Sequence, residues 1–539
     1  MCGIICIIHY HNKENYDFNL DKFKECTDRL KNRGPDKTNY LVIKKENYDI
    51  YFGFTRLAIM DTSINGMQPF TNNNGDYVIC NGEIYNYLDL AKKYDINLET
   101  SCDCEILLPL LNKLDFTNVV NNLDAEFALI YYNNLENKLF AARDKYGVRP
   151  LYYGFSDNLI GFGSELKSLH SVMDYVEQVK PQNIFQIELD KPRNENVHIE
   201  RYYDINNVKF NVNNDIVLIK QNIRNLLFNA VKKRLIADRP IGFLLSGGLD
   251  SSLIVAIASK ILGPENITCF SIGIPGSPDI EAAKIVVNYL GIKNHHIIPF
   301  LIEEGISILP QVIETIETYD ITTIRASTPQ YIMAKYIKDN TDIRVILSGE
   351  GSDELHGSYR YFYNAPNSIE FNKETKRLLT DLCYFDNLRT DRTMANHGLE
   401  VRVPFLDFDY VNYILSIDQN LLMFNDKNME KKIIRDSFIK LLPEEILYRR
   451  KEAFSDAVSN TENNWINSIK IQASKKITME KLLNNTYIMN KPKTVDALYF
   501  RQIFDSIYPN RDNVNPYYWL PKWQKTDVQD PSATILNCY

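Results

Sequence analysis

The sequence predicts two folds in series: a strand-dominated α+β domain over residues 2–205, then an α/β doubly wound parallel sheet over 213–539 that finishes in a helical part. Three observations carry this. Short apolar runs punctuated by turn residues fill the first two hundred positions, strand and helix patterns alternate from about residue 240, and the stretch INNVKFNVNND (205–215) between them has no periodicity and reads as linker. A chain of 539 residues with 45% hydrophobic content has material for at least two full cores.

The strands of the first half are CGIICIIHY, YDIYFGFTRLAIM, DYVICNGEIYNY, FALIYYNNLENKLFAARD, NLIGFGSEL and IFQIELD, with Asn-Gly, Arg-Gly-Pro and Asn-Asn-Asn-Gly as turn signals between them. Two helical stretches, about 19–32 and 103–113, interrupt the strands and pack outside them. After the linker, DIVLIKQNIRNLLFNAVKKRLIA keeps apolar residues at helical spacing for over five turns. PIGFLL then leads through a glycine-rich turn into SSLIVAIASKIL, ITCFSIGIPG leads into IEAAKIVVNYLG, and RVILSGEG follows. In such a sheet ligands bind at the carboxyl ends of the strands.

Composition removes several function classes. Lys+Arg 61 against Asp+Glu 69 gives a net charge of -8, and no basic run is interleaved with aromatics, which disfavours a nucleic-acid partner. Nine cysteines lack the paired spacing of a disulfide framework and predict reduced thiols; Cys102 and Cys104 flank Asp103 without a second Cys/His pair at zinc spacing. The apolar stretch from Ile4 to Ile8 has no basic flank and is too short for a signal peptide or a membrane span. The expectation is a soluble, cytoplasmic protein with small-molecule substrates and no membrane partner.

Chemistry concentrates in three places. In SGGLDSS, Gly247 and Gly248 let backbone approach an anion, Ser246, Ser251 and Ser252 offer hydroxyls, and a helix N-terminus follows. The lysine of a Walker loop is absent, and Asp250 suits Mg²⁺ held against phosphates. A second acidic, glycine-rich turn, Ser348-Gly349-Glu350-Gly351-Ser352-Asp353-Glu354, lies at the end of another strand and adds Asp353 as a metal candidate. The third place is the chain start. The small-residue start Cys2-Gly3 permits removal of Met1, which would leave Cys2 with a free α-amine as the built-in base for its own thiol. In CNGEIYN, Asn81 and Gly82 can donate to an oxyanion, one by a side-chain amide and one by a backbone N–H; the same Asn-Gly is equally a hairpin-turn signal. Arg56, Glu83 and Asp103 complement the carboxylate and ammonium ends of an amino acid.

Several of these strings carry a resemblance. SGGLDSS with SGEGSDE resembles the PP-loop ATP pyrophosphatases, which cut ATP between the α- and β-phosphates. MCGI, RGPD (33–36), NGEIYN (81–86) and RDxxGxxPLYY (143–153) resemble a class II glutamine amidotransferase domain of the N-terminal nucleophile hydrolase fold, an αββα sandwich. With ETYDxTTIRASTPxY (317–331) and GLExRVPFLD (398–407) in the same order, the chain is similar end to end to the glutamine-hydrolysing asparagine synthetase family. The resemblance implies Cys2 as glutaminase nucleophile, Asn81 and Gly82 as its oxyanion hole, and Arg56, Glu83 and Asp103 as glutamine-binding residues. It also implies Leu245 and Ile272 at the adenine pocket, Ser348 and Gly349 as further ATP contacts, Glu350 in forming a β-aspartyl-AMP intermediate, and Lys451 of YRRKEAFSD beside the pyrophosphate. Glutamine, aspartate and ATP with Mg²⁺ are the implied substrates and cofactor, ammonia is expected to cross an apolar passage between the domains, and homodimers are common in the family.

The chain departs from the family's pattern in two strings. Arg239 stands where an apolar residue is usual, and HGSY (356–359) replaces FGGY, with Ser358 in place of glycine. Two rival readings remain open at this stage: a catalytically silent homologue serving as a binding scaffold, and an amidotransferase with another acceptor.

Overall fold

The structure, a computed structural model, describes residues 1–11, 18–191, 195–210, 215–424, 428–450, 458–459, 464–524 and 529–531. The chain divides into two compact units. One comprises Met1–Asp204 with Ala237–Arg239 and Ala395–Glu400; the other comprises Ile205–Ile236, Pro240–Met394 and Val401–Tyr539.

The first unit stacks two six-stranded sheets. One runs in the order Tyr175–Gln178, Tyr152–Phe155, Leu159–Gly163, Gly3–Tyr10, Tyr48–Arg56, Lys37–Lys44, and the other Val197–Arg201, Asn183–Glu188, Lys138–Arg143, Ala125–Asn133, Tyr77–Ile84, Phe70–Thr71. Every neighbouring pair with a determined register is antiparallel. Alternation at period two decides which side chains fill the space between the sheets: Ile4, Cys6 and Ile8 point there and meet Ile50, Phe52, Ile130, Phe162 and Phe185 in one core. The intervening Ile5 and Ile7 face outward and are also fully buried, because helices cover that side. This is why CGIICIIHY is apolar throughout instead of alternating.

The covering helix Leu20–Asp28 is capped by Asn19, whose side chain accepts from the Asp21 and Lys22 N–H groups, and it buries Phe23, Cys26 and Thr27. A Cβ on Gly53 would lie 2.5 Å from Thr27 Oγ1, so a glycine lets the helix lie close on the sheet. On the other outer face, Phe116 of the helix Phe116–Asn122 stacks on Phe140 at 5.0 Å. The layers are helix, sheet, sheet, helix, as expected.

Some element expectations need correction. The helix expected over 19–32 ends at Asp28, where Leu30 and Lys31 turn back in tight three-residue bonds to Thr27 and Asp28. The stretch 103–113 is a 3-10 turn, Asp103–Ile106, followed by the short helix Leu107–Leu111. Helices Tyr87–Lys93, Phe116–Asn122 and Leu166–Leu169 were not expected; they are too short for periodicity to register. Strands Lys37–Lys44, Tyr152–Phe155, Tyr175–Gln178 and Val197–Arg201 were also missed, the first and last being half exposed with no clean alternation.

In the second unit a five-stranded sheet has the order Asn294–Pro299, Thr268–Gly273, Ile241–Leu244, Val345–Leu347, Glu400–Arg402. The first four strands pair in parallel. Numbered along the chain this is 3-2-1-4-5, a doubly wound order that reverses between Ile241–Leu244 and Val345–Leu347. The helix Leu249–Leu262 that follows the first of these strands is buried from Leu249 to Ser259 except at Asp250, and its uninterrupted apolar middle, residues 253–258, marks a core element. Helices Trp465–Ser474 and Val495–Ile507 belong to the helical C-terminal part. Among the described residues no helix is long and apolar enough to cross a membrane.

Candidate active sites

Cys2 immediately precedes the strand Gly3–Tyr10, whose first residue pairs with Thr55. Its sulfur lies 3.4 Å from Leu57 N and 3.7 Å from Leu57 O. The RGPD string builds this position. Arg33 Nε donates to the Cys2 carbonyl at 2.9 Å, a Cβ on Gly34 would stand 2.2 Å from the Thr55 carbonyl, and Asp36 accepts the Ala58 N–H at 2.8 Å. The departing Arg239 joins the same segment, its Nε donating to the Ala58 carbonyl at 3.0 Å. Burial pushes the Cys2 thiol up to about 11, so a neighbouring base is required to make the thiolate near neutral pH. In the chain with Met1 attached, the Cys2 nitrogen is an amide. The Met1 amine is buried and pushed down to about 6 by desolvation, 3.8 Å from the Glu400 carboxylate.

Asn81 and Gly82 sit inside the strand Tyr77–Ile84, opposite Ala128 and Phe127. The hairpin-turn alternative for this Asn-Gly therefore falls. The strand meets Gly3–Tyr10 across the sandwich. A Cβ on Gly82 would lie 2.4 Å from the Glu126 carbonyl, which accounts for the glycine, and the Asn81 side chain is fully buried with neither amide atom hydrogen-bonded. A buried amide without a partner costs about 1–3 kcal/mol, and a bound oxyanion would offset it.

Arg56, Glu83 and Asp103 are all buried. They converge around Cys102, whose thiol is pushed up by burial, Asp103 and Glu83 and pulled down by Arg56. Asp103 accepts the Ile84 N–H at 2.7 Å and so anchors the strand that carries Glu83. Arg56 donates to the carbonyls of Asp61 and Ser63.

In the second unit the two glycine-rich loops leave adjacent strands at the point where the sheet order reverses. Gly247 has φ +74°, and a Cβ there would lie 2.4 Å from Ala283 N. A Cβ on Gly349 would lie 2.9 Å from Ser251 N, so the loops touch. The Ser246 and Ser251 hydroxyls are 3.1 Å apart, Ser246 Oγ accepts the Gly248 N–H, and Ser252 Oγ is buried without a partner. A cavity of about 240 Å³ is lined by Leu245, Ile272, Ser348, Gly349, Glu350 and Asp250, and also by Asp353 and Asp386. Of the residues expected here, Leu245, Ser246, Asp250, Ser251, Ile272, Ser348, Gly349, Glu350 and Asp353 line this cavity; Gly247, Gly248 and Ser252 belong to the same loop without lining it, and Lys451 lies outside the described residues.

Two cations were not foreseen. Lys431 Nζ lies 2.7 and 2.8 Å from the two Asp250 carboxylate oxygens and 2.7 Å from Asp353 Oδ1. Arg389 donates to Glu350 at 2.8 Å, to Asp386 at 2.9 Å and to Gln330 at 2.8 Å. Neither stands near the loop acid it contacts: Lys431 is 181 positions from Asp250 and Arg389 is 39 from Glu350, with only Asp386 close to Arg389 in sequence. Arg33, by contrast, stands in RGPD and was visible there as part of a motif.

Comparison with known proteins follows the same division. Residues 1–210 match the model of the glutamine amidotransferase domain, and residues 222–374 and 367–526 match that of asparagine synthase. A probable asparagine synthetase (glutamine-hydrolyzing) of Acanthamoeba polyphaga mimivirus is 58% identical over 553 residues, covering 99% of this chain and all of that one. Asparagine synthetases (glutamine-hydrolyzing) of Gallus gallus and Homo sapiens are 40% and 39% identical, with 96% of each chain covered in both comparisons. The chain, with its amidotransferase domain followed by its synthase domain, belongs to the family of glutamine-hydrolysing asparagine synthetases.

Proposed function

We propose that the chain amidates aspartate to asparagine at the expense of ATP, with glutamine as nitrogen donor. The observation that carries the reading is the meeting of the SGG and SGE loops at the switch point, in a chain whose other unit opens with Cys2. In the first unit the Cys2 thiolate attacks the glutamine amide carbon, the oxyanion takes hydrogen bonds from Asn81 and Gly82, ammonia leaves, and water hydrolyses the thioester to glutamate. Removal of Met1 supplies the amine that accepts the thiol proton. Arg56, Glu83 and Asp103 hold the amino-acid end of glutamine.

In the second unit Leu245 and Ile272 hold adenine, while Ser246, Gly247, Gly248, Ser251, Ser252, Ser348 and Gly349 surround the phosphates. The aspartate β-carboxylate attacks the α-phosphorus and expels pyrophosphate, giving β-aspartyl-AMP; ammonia then displaces AMP. Glu350, held by Arg389, acts at the step that forms this intermediate, and Lys451 meets the leaving pyrophosphate. Asp250 and Asp353 suit Mg²⁺: three of their oxygens already converge on the Lys431 ammonium, and Mg²⁺ is usually held by one or two carboxylates together with phosphate and water. Held there, Mg²⁺ would neutralise the charge that gathers on the phosphates.

Product analysis tests the reading. With aspartate, ATP and glutamine the products should be asparagine, AMP, pyrophosphate and glutamate, whereas ADP and phosphate would sink the adenylation step. Cys2→Ala should abolish synthesis from glutamine and spare synthesis from ammonium; equal loss of both would overturn the division of labour.

A further inference from the structure

The two departures in HGSY lie beside the acidic pair. Ser352 Oγ is 2.7 Å from Asp250 Oδ1, His356 Nδ1 is 3.1 Å from Ser352 Oγ, and Tyr410 OH is 3.0 Å from His356 Nε2. Ser352, His356 and Tyr410 are each no more than 1% exposed. Hydrogen-bond bookkeeping fixes the direction of the whole chain. A serine hydroxyl has one proton. Asp250 is paired with Lys431 and accepts, so Ser352 donates to it and must itself accept from His356. The imidazole is then the Nδ1–H tautomer, and its Nε2 accepts from the Tyr410 hydroxyl. At the other carboxylate, Ser358 Oγ donates to Asp353 Oδ1, the oxygen that Lys431 also contacts, and the Ser358 N–H donates to the Asp353 carbonyl at 3.0 Å. The turn's left-handed backbone falls on Gly357 at φ +57°, which leaves position 358 free to carry a side chain.

A phenylalanine at 356 has no donor for Ser352, and a glycine at 358 has no hydroxyl for Asp353. Ser358 therefore adds a hydrogen bond to Asp353, and His356 adds one to Ser352, the hydroxyl that donates to Asp250. Partners that fix ligating carboxylates tune metal affinity strongly, typically by about 10–100-fold.

We propose that His356, acting through Ser352, and Ser358, acting directly, are positioning residues that orient Asp250 and Asp353 toward a divalent cation. This rests on the reading that those two acids hold Mg²⁺ in the adenylation site.

The test measures Mn²⁺ binding to the full chain in the presence of pyrophosphate, by electron paramagnetic resonance, so that turnover is not the readout. H356F and S358G should each weaken Mn²⁺ binding about tenfold. H356N, whose amide N–H replaces the imidazole Nδ1–H, should recover most of the loss, and a role in packing alone predicts no such recovery. Glutamine hydrolysis, which uses the other unit, should be unchanged in all three variants and serves as the check on folding. Should H356F fail that check, S358A, which removes only the hydroxyl, carries the same expectation. Unchanged Mn²⁺ binding in H356F and S358G, with binding abolished in D250N, would overturn the proposal and leave the metal reading standing. Unchanged binding in D250N and D353N as well would overturn both.

Discussion

On the proposed reading, Asn81 trades stability for chemistry. Its amide is fully buried and bonded to nothing, which is unfavourable for the free protein and useful only when an oxyanion arrives. Asn81→Ala should therefore lower glutamine hydrolysis by about 10²–10³-fold in kcat. Thermal stability should hold or rise slightly, and a large fall in Tm would show that the side chain is structural instead. Cys2 makes a prediction in pH. Where Met1 is retained, the thiol stands near about 11, so alkylation by iodoacetamide should climb with pH throughout the neutral and mildly alkaline range. Where the chain begins at Cys2, the amine takes the thiol proton and the rate should level off close to neutrality. Identical profiles for the two forms would remove the amine from its proposed role. Lys431 is the third case. Lys431→Met leaves Asp250 and Asp353 facing each other without their shared cation, at a cost of about 3–5 kcal/mol, and Mg²⁺ with pyrophosphate should restore more stability to the variant than to the parent protein. An unchanged Tm would contradict this.

Elements decide what the residues can reach, and the SGG loop depends on its backbone more than on its side chains. Gly247 takes φ +74° with Ala283 N behind it, so Gly247→Ala meets both a disfavoured backbone and a clash. Aspartate-dependent ATP–pyrophosphate exchange should fall by about 10²-fold or more, since even small misplacements at a reacting phosphate are expensive. Glutamine hydrolysis should not change, and equal loss of both activities would point to global unfolding. The same contrast explains what was legible beforehand. Gly3–Tyr10 was readable because burial on both faces writes a continuous apolar run, and Ile241–Leu244 because a short apolar run ends at a glycine-rich turn, whereas Lys37–Lys44 is half exposed and wrote no such signal. The 81–83 and 246–252 strings were readable because their chemistry is contiguous on one strand or one loop. Lys431 reaches Asp250 and Asp353, and Arg389 reaches Glu350, only through the tertiary fold, so no spacing announced those contacts; the Asp386–Arg389 pair alone is local, three positions apart on one helix.

At the scale of the whole molecule the chain forms two compact units, and on the proposed reading each carries one of the two chemistries with its own set of reacting residues. Glutamine hydrolysis needs a thiolate and an oxyanion hole, and adenylation needs phosphate-binding backbone and paired acids; no residue is shared between the two lists. The cysteines offer a way to separate them. Of the eight described cysteines, Cys2 alone is part-exposed, and the other seven are buried. Limited alkylation should therefore modify Cys2 first among these eight, which peptide mapping can establish. The alkylated enzyme should lose glutamine hydrolysis while aspartate-dependent ATP–pyrophosphate exchange continues at the starting rate. Asp250→Asn should do the reverse, sparing hydrolysis and stopping exchange. If either treatment silenced both assays in proportion, the two sites would not be chemically independent, and the assignment of Cys2 and Asp250 to different half-reactions would have to be withdrawn.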